Sequence, residues 1–301
     1  MKTKLLKVAA VFLALSLLLA ACGSGAASTA SAAPAASEAE AASAPEPAVE
    51  GSFRTVDDIK AAGSISIGVF SDKAPFGYVD ENGAYQGYDV YFAERIGQDL
   101  GVKVEYVPLD PASRVEFVQT GKVDLVLANF TVTPERAEAV DFCLPYMKVA
   151  LGVVSPDGAV ITDVAELEGK ELIVCKGTTA ETYFEKNYPN VKLQKYDQYA
   201  DAYNALLDGR GDAFSTDNTE VLAWALTNPG FTVGIDSLGD LDTIAPAVQK
   251  GNTTLTAWID QEIQDLAAEN FFHADYEATL RPVYGDAADP DSLVVEGGVV
   301  E

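Results

Sequence analysis

Short apolar-rich runs over residues 65–70, 102–107, 123–127, 171–175, 191–195, 213–215 and 231–235 read as strands, with polar and apolar positions alternating over 123–127. Between them, residues 90–100, 113–119, 180–187, 199–208, 219–227 and 255–268 carry helical patterns. Strands and helices alternating at this spacing predict βα units and mostly parallel sheets, an α/β fold. In the last helix Leu255, Trp258, Ile259, Ile263 and Leu266 recur at helical period, so Trp258 reads as core. Residues 146–154 and 243–248 read as strands long enough to cross between two bodies, and their placement makes the first body discontinuous.

The N-terminal segment obeys a different rule. Lys2, Lys4 and Lys7 precede an apolar run from residue 5 to 21 that stops at Cys22, the pattern of a secretory leader. The run is short for the ~20 residues of a membrane span. Leu19-Ala20-Ala21-Cys22 looks like a bacterial lipobox, in which Cys22 receives lipid and becomes the new N-terminus; the alternative is a plain leader with Cys22 incidental. The small residues and the cysteine fall where the apolar run ends, which favours the lipobox. Residues 22–51 are nearly all Gly, Ala, Ser, Thr, Pro and Glu, a composition that buries no core and reads as a tether. The rest of the chain, residues 52–301, is long enough for two domains of ordinary size.

The formal net charge is -26, and removing the three leader lysines takes it to -29. Such acidity argues against nucleic acid, and anionic lipid head groups repel it, so membrane attachment should depend on the lipid. His273 is the only histidine, which leaves nothing from which to build a histidine-based metal site or a Ser/His/Asp triad; no metal or cofactor is expected. Arg210-Gly211-Asp212 matches an adhesion tripeptide but reads as a turn entering a strand.

The chemistry concentrates in Leu127-Ala128-Asn129-Phe130-Thr131-Val132-Thr133-Pro134-Glu135-Arg136. A strand ends here, Thr133 is a good N-cap, and Pro134 suits the first helical position, where a missing N–H costs nothing. Arg136 then sits in the first turn. A guanidinium fork beside unsatisfied N–H groups makes a carboxylate receptor. Asp217, in Asp212-Ala213-Phe214-Ser215-Thr216-Asp217-Asn218, is the candidate for a matching ammonium. The competing structural readings pair Arg136 with Glu135 or Glu138 on a solvated face and make Asp217 a helix cap.

Taken together and in order, Ala74-Pro75-Phe76, Gly87-Tyr88-Asp89, Gly121-Lys122-Val123-Asp124, Thr131 to Arg136, Asp141-Phe142, Pro145-Tyr146, Lys176-Gly177-Thr178-Thr179 and Gly209-Arg210-Gly211-Asp212 with Asp217 resemble the extracytoplasmic solute-binding proteins of ABC transporters for polar amino acids. The resemblance spans roughly residues 51–298. Within the family, residues 69–78 and Val294-Val295-Glu296-Gly297-Gly298 are most similar to the cysteine-binding lipoproteins. It implies a two-lobed type II periplasmic-binding-protein fold, each lobe a mostly parallel sheet flanked by helices, joined by two crossover strands. It divides the chain into a leader (1–21), a tether (22–51), lobe 1 (52–149 plus 244–301) and lobe 2 (150–243); the tail after Pro282, rich in Asp, Gly and Val, is atypical for the wider family and is expected to pack across lobe 1.

The same resemblance implies a monomeric, lipid-anchored extracytoplasmic protein that captures a free amino acid, closes over it and delivers it to an ABC permease. Arg136 and the N–H groups at Thr178 and Thr179 would grip the ligand carboxylate. Asp217, the Asn129 carbonyl and the Thr131 hydroxyl would take the ammonium. Three residues before Phe76 the wider family carries an aromatic ring, and here stands Lys73, which either reaches a ligand or anion or snorkels along the cleft wall. Arg114 either meets the ligand side chain or is a surface helix residue; Cys175 either faces the ligand or is a buried strand cysteine. Phe76 is a better ligand contact than Phe70. Cys143 and Cys175 are expected as free thiols, because they would lie in different lobes. Cysteine is the first expected ligand, then glutamine, glutamate or aspartate. From other classes, the rivals are a surface antigen or adhesin and a dehydratase-type enzyme on this fold, for which Glu181 is the candidate general acid; its competing role is stabilising its own helix.

Overall fold

The computed structural model describes residues 53–300, so the leader, Cys22 and the tether lie outside the described residues. The chain runs through α1 (Val56–Ala62), β1 (Ser64–Val69), β2 (Asp72–Lys73), β3 (Gly77–Val79), β4 (Tyr85–Gln86), α2 (Tyr88–Leu100), β5 (Lys103–Pro108), α3 (Arg114–Gln119), β6 (Leu125–Val126), α4 (Pro134–Ala139) and β7 (Val140–Phe142). It continues with β8 (Met147–Pro156), β9 (Glu171–Cys175), α5 (Thr179–Asn187), β10 (Lys192–Tyr196), α6 (Tyr199–Leu207), β11 (Ala213–Asp217), α7 (Asn218–Thr227) and β12 (Phe231–Ile244). The last stretch holds β13 (Ala247–Gln249), α8 (Thr253–Leu266), α9 (Phe271–Asp275), α10 (Arg281–Tyr284) and α11 (Pro290–Leu293).

Two five-stranded sheets result, ordered β5-β1-β6-β13-β7 and β10-β9-β11-β8-β12. Each is mixed. The βα units supply the parallel pairs, β5 with β1 with β6 and β10 with β9 with β11. The remaining pairs, through β13 and β8, are antiparallel. Expecting mostly parallel sheets missed this half, because its strands pair with partners remote in sequence.

A two-stranded ribbon links the sheets. β8 pairs antiparallel with β12 from Met147 opposite Ile244 to Pro156 opposite Phe231, and register shifts absorb the extra length of β12. Bulges of this kind bend a strand and increase its twist. The expected second crossing at 243–248 is therefore displaced: β12 carries it, and the chain breaks at Ala245-Pro246 before β13 joins the first sheet. Pro246 has no N–H to give a ladder. Gly234 sits where the ribbon passes the 160–161 backbone, and a Cβ there would lie 2.0 Å from the Ile161 carbonyl oxygen.

In α8, Leu255, Ile259, Ile263 and Leu266 are buried while Trp258 is only half-buried at the edge of the core. The C-terminal tail is pinned by an isolated bridge between Val294 and Met147 and by Val295 N–H donating to the Tyr146 carbonyl at 3.1 Å. Asp212, entering β11, exchanges bonds with Glu171 at 2.8 Å, so the Arg-Gly-Asp tripeptide is a strand-entry turn. Among the described residues no helix is long and apolar enough to cross a membrane.

Candidate functional site

The β6–α4 junction forms as the sequence dictates. Thr133 caps α4 by accepting from Arg136 N–H at 3.2 Å, and Pro134 takes the first helical position. Arg136 is thereby aimed back over the strand end, where its guanidinium donates to the Thr131 carbonyl at 2.7 Å and to the Gly177 carbonyl at 2.9 Å. Arg114, at the start of α3, converges on the same oxygen at 3.2 Å and also donates to the carbonyls of Pro111, Ala128 and Asn129. Arg114 is 3% exposed, so the surface-residue reading fails for it. Both guanidinia lie over the Phe130 ring, 4.6 and 4.7 Å from its centroid.

Neither arginine is ion-paired with a carboxylate among the described residues; Glu135 and Glu138 leave Arg136 alone. Arg136 uses two of its five donors and Arg114 four, so Arg136 retains a usable fork. Burial, and then the neighbouring Arg114, push Arg136 down to about 9. An anion placed between them would relieve both.

Gly177 makes the convergence possible. It lies at φ 73°, and a Cβ would meet Ala112 Cα at 2.5 Å. Beyond it, Thr178 caps α5, accepting from Glu181 N–H and donating to the Cys175 carbonyl at 2.7 Å; Thr179 opens the helix. Glu181 accepts from Gly177 N–H at 2.7 Å and ion-pairs with Lys195 at 2.9 Å, so it serves its own helix.

Asp217 ends β11, in the N-cap position of α7, yet its side chain makes no cap bond. Its Oδ2 instead accepts from the Asn129 side-chain amide at 2.6 Å and from Lys73 Nζ at 3.0 Å. Lys73 is 0% exposed, which excludes snorkelling; its ammonium lies 4.7 Å from the Tyr199 ring centroid and 5.5 Å from those of Phe70 and Phe76. Burial works against this charge, but Asp217 outweighs it and the lysine is raised above its ordinary range. The Asn129 carbonyl, expected toward an ammonium, is held by Arg114, and it is the side-chain amide that reaches Asp217. Thr131 is buried, with its carbonyl on Arg136. Cys175 and Cys143 are buried free thiols, and burial pushes both up.

Four further residues were not anticipated. Asp89 anchors Asn129, whose φ is 46°, by accepting its N–H at 2.8 Å, and accepts from the Tyr146 hydroxyl at 2.5 Å; burial pushes it up to about 6. Glu220, Tyr203 and Tyr199 back the Asp217 side: Tyr203 donates to Glu220, whose other oxygen is buried without a partner, and burial pushes Glu220 up to about 7. The Asp217-x-x-Glu220 spacing and the i, i+4 tyrosines on α6 were the signals available. A separate groove of about 680 Å³, lined by Tyr91, Arg95 and Phe271 among others, contains none of these residues. Among the described residues no cluster of three or more His, Cys, Asp or Glu is arranged to hold a metal.

The site thus offers unpaired cationic donors on one side and a carboxylate on the other, the two charges of an amino acid in complement. Residues 65–278 match the family described as bacterial extracellular solute-binding proteins, family 3. The fold is similar to the solute receptor for L-cysteine of Neisseria gonorrhoeae (54% identity, TM-score 0.79, covering 81% of this chain and 100% of that one). It is similar also to the cysteine-binding protein of Campylobacter jejuni (52% identity, TM-score 0.79, 80% and 98% covered). The ABC transporter glutamine-binding protein GlnH of Bacillus subtilis is 25% identical over 283 residues, 92% of this chain and 97% of that protein.

Proposed function

The chain belongs to the bacterial extracellular solute-binding proteins of family 3 and binds amino acids in transport, and from that premise we propose that its ligand is cysteine, captured between two lobes and handed to an ABC permease. Lobe 1 is residues 52–149 plus 244–301 and lobe 2 is 150–243. Arg136, with the N–H groups at Thr178 and Thr179, takes the ligand carboxylate. Asp217 takes the ammonium, with Asn129 and Thr131 beside it, and Phe76, Arg114, Lys73 and Cys175 border the side chain. The protein acts as a monomer held to the membrane by lipid on Cys22.

One observation carries this reading. A buried guanidinium, Arg114, and a half-buried one, Arg136, converge on the Gly177 carbonyl with no carboxylate paired to them among the described residues, while Asp217 approaches from the second sheet. Cysteine as the ligand draws on relatives more than 50% identical over about four-fifths of the chain. A binding role without catalysis draws on Glu181, which is engaged by Gly177 and Lys195 and so is not poised as a general acid.

Calorimetric titration tests the proposal, using the whole chain, unfolded and refolded to strip carried-over ligand, against all twenty amino acids with cysteine kept reduced. A single tight ligand, cysteine, is expected. Preference for glutamine, glutamate or aspartate would replace the ligand; product from prephenate or arogenate would replace the class.

A further inference from the structure

Lys73 brings into the cleft a charge that the backbone groups of a bound amino acid do not satisfy. Its only ion-pair partner among the described residues is Asp217, at 3.0 Å, and three aromatic rings wall it in. With cysteine bound as proposed, Asp217 also receives the ligand ammonium, so two cations share one carboxylate. Arg136 takes the ligand carboxylate, and Arg114 stays committed to its four backbone carbonyls. Around a zwitterion, Lys73 would then share its single ion-pair partner with the ligand ammonium in a site removed from water, which is costly.

None of the other charged or titratable groups that act on Lys73 forms an ion pair with it among the described residues. They are Glu220 of α7, Asp89 of α2, Asp72 beside it on β2, Tyr199 of α6 and Cys175 of β9, with Arg114 of α3 nearby. Glu220 and Asp89 are held by Tyr203 and Tyr146 instead. Asp72 accepts from Ala200 N–H at 3.0 Å and burial pushes it up as well. A second anion paired directly with Lys73 has to arrive with the ligand.

We propose that Lys73 sets the ligand class by pairing with an anionic group on the ligand's side chain, so that the cleft accepts an amino acid as a net monoanion and takes cysteine as its thiolate. This deepens the proposed function and rests on it. On binding, the S–H bond of cysteine breaks and its proton passes to the buffer; Lys73 keeps its own proton and no electrons move. A free thiol titrates near about 8.5, and a neighbouring cation lowers that value. Aspartate and glutamate bring a side-chain anion already formed and release no proton, which separates the two sources of charge.

The test adds reduced cysteine to the whole chain about two pH units below the free thiol's pKa, following thiolate ultraviolet absorption together with calorimetry in buffers of different ionisation enthalpy. The expected result is one equivalent of thiolate absorbance and about one proton released per cysteine bound, with serine binding at least ~100-fold more weakly. Lys73→Arg keeps the absorbance; Lys73→Met loses it and narrows the preference for cysteine over serine to within about tenfold. Saturating serine gives no thiolate absorbance, and its appearance with serine would give the sulfur to the protein and overturn the proposal. Cysteine binding with unchanged absorbance also overturns it and leaves the amino-acid reading standing, whereas no binding by any of the twenty removes both. Where Lys73→Met does not fold, the wild-type and Lys73→Arg absorbances decide.

Discussion

Arg136 and Asp217 could be picked out from the sequence because each places an unusual charge at an element end. Their surroundings could not, since Lys73 and Asp217 are 144 positions apart and only the folded chain brings them to 3.0 Å. Removing one member of a buried charged set typically costs about 3–5 kcal/mol. Arg136→Ala and Asp217→Ala should therefore lose measurable amino-acid binding in calorimetry while keeping a cooperative melt; near-normal affinity in either would refute the assignment. Glu220 gives a pH-dependent prediction. Its folded-state pKa is raised to about 7, so its contribution to stability is present below the unfolded glutamate value near ~4.3 and is lost as pH rises through 7. The stability of wild type relative to Glu220→Gln should fall between these pH values by up to about 3 kcal/mol, measured by denaturant unfolding; a pH-independent difference would contradict the burial argument.

At the scale of elements, βα alternation made the parallel half of each sheet legible, along with most helices to within a residue or two of their observed ends. The antiparallel half depended on pairing β8 with β12 through repeated register shifts, which no local pattern encodes. Pro246 carried a strand-breaking signal that the apolar run around it obscured. The α4 capping was readable in full, because Thr133, Pro134 and Arg136 interact within four residues. The ribbon yields its own test. Gly234→Ala forces a Cβ against the Ile161 carbonyl, an overpacking that typically costs about 1–3 kcal/mol. Its melting temperature should fall by several degrees, and an unchanged melt would mean that the ribbon shifts freely past residues 160–161.

For the molecule as a whole, a strongly acidic chain folds around a small group of cations. The chain is acidic overall, while the buried Lys73 and Arg114 and the half-buried Arg136 form one group of cations among the rings of Phe70, Phe76, Phe130 and Tyr199. A surface of this charge has little affinity of its own for anionic membranes. Cys22→Ala should therefore release the protein from the membrane fraction into the medium or periplasm, read by fractionation; continued membrane association would point to an anchor other than lipid. The central claim is that the amino acid lies between the sheets with its carboxylate on Arg136 and its ammonium on Asp217. A crystal structure grown with reduced cysteine tests it most directly. The account predicts the ligand at the Gly177 junction, its carboxylate forked by Arg136 and its ammonium within hydrogen-bond distance of Asp217. A ligand seated instead in the groove beside Tyr91, Arg95 and Phe271, or turned end for end in the cleft, would contradict it.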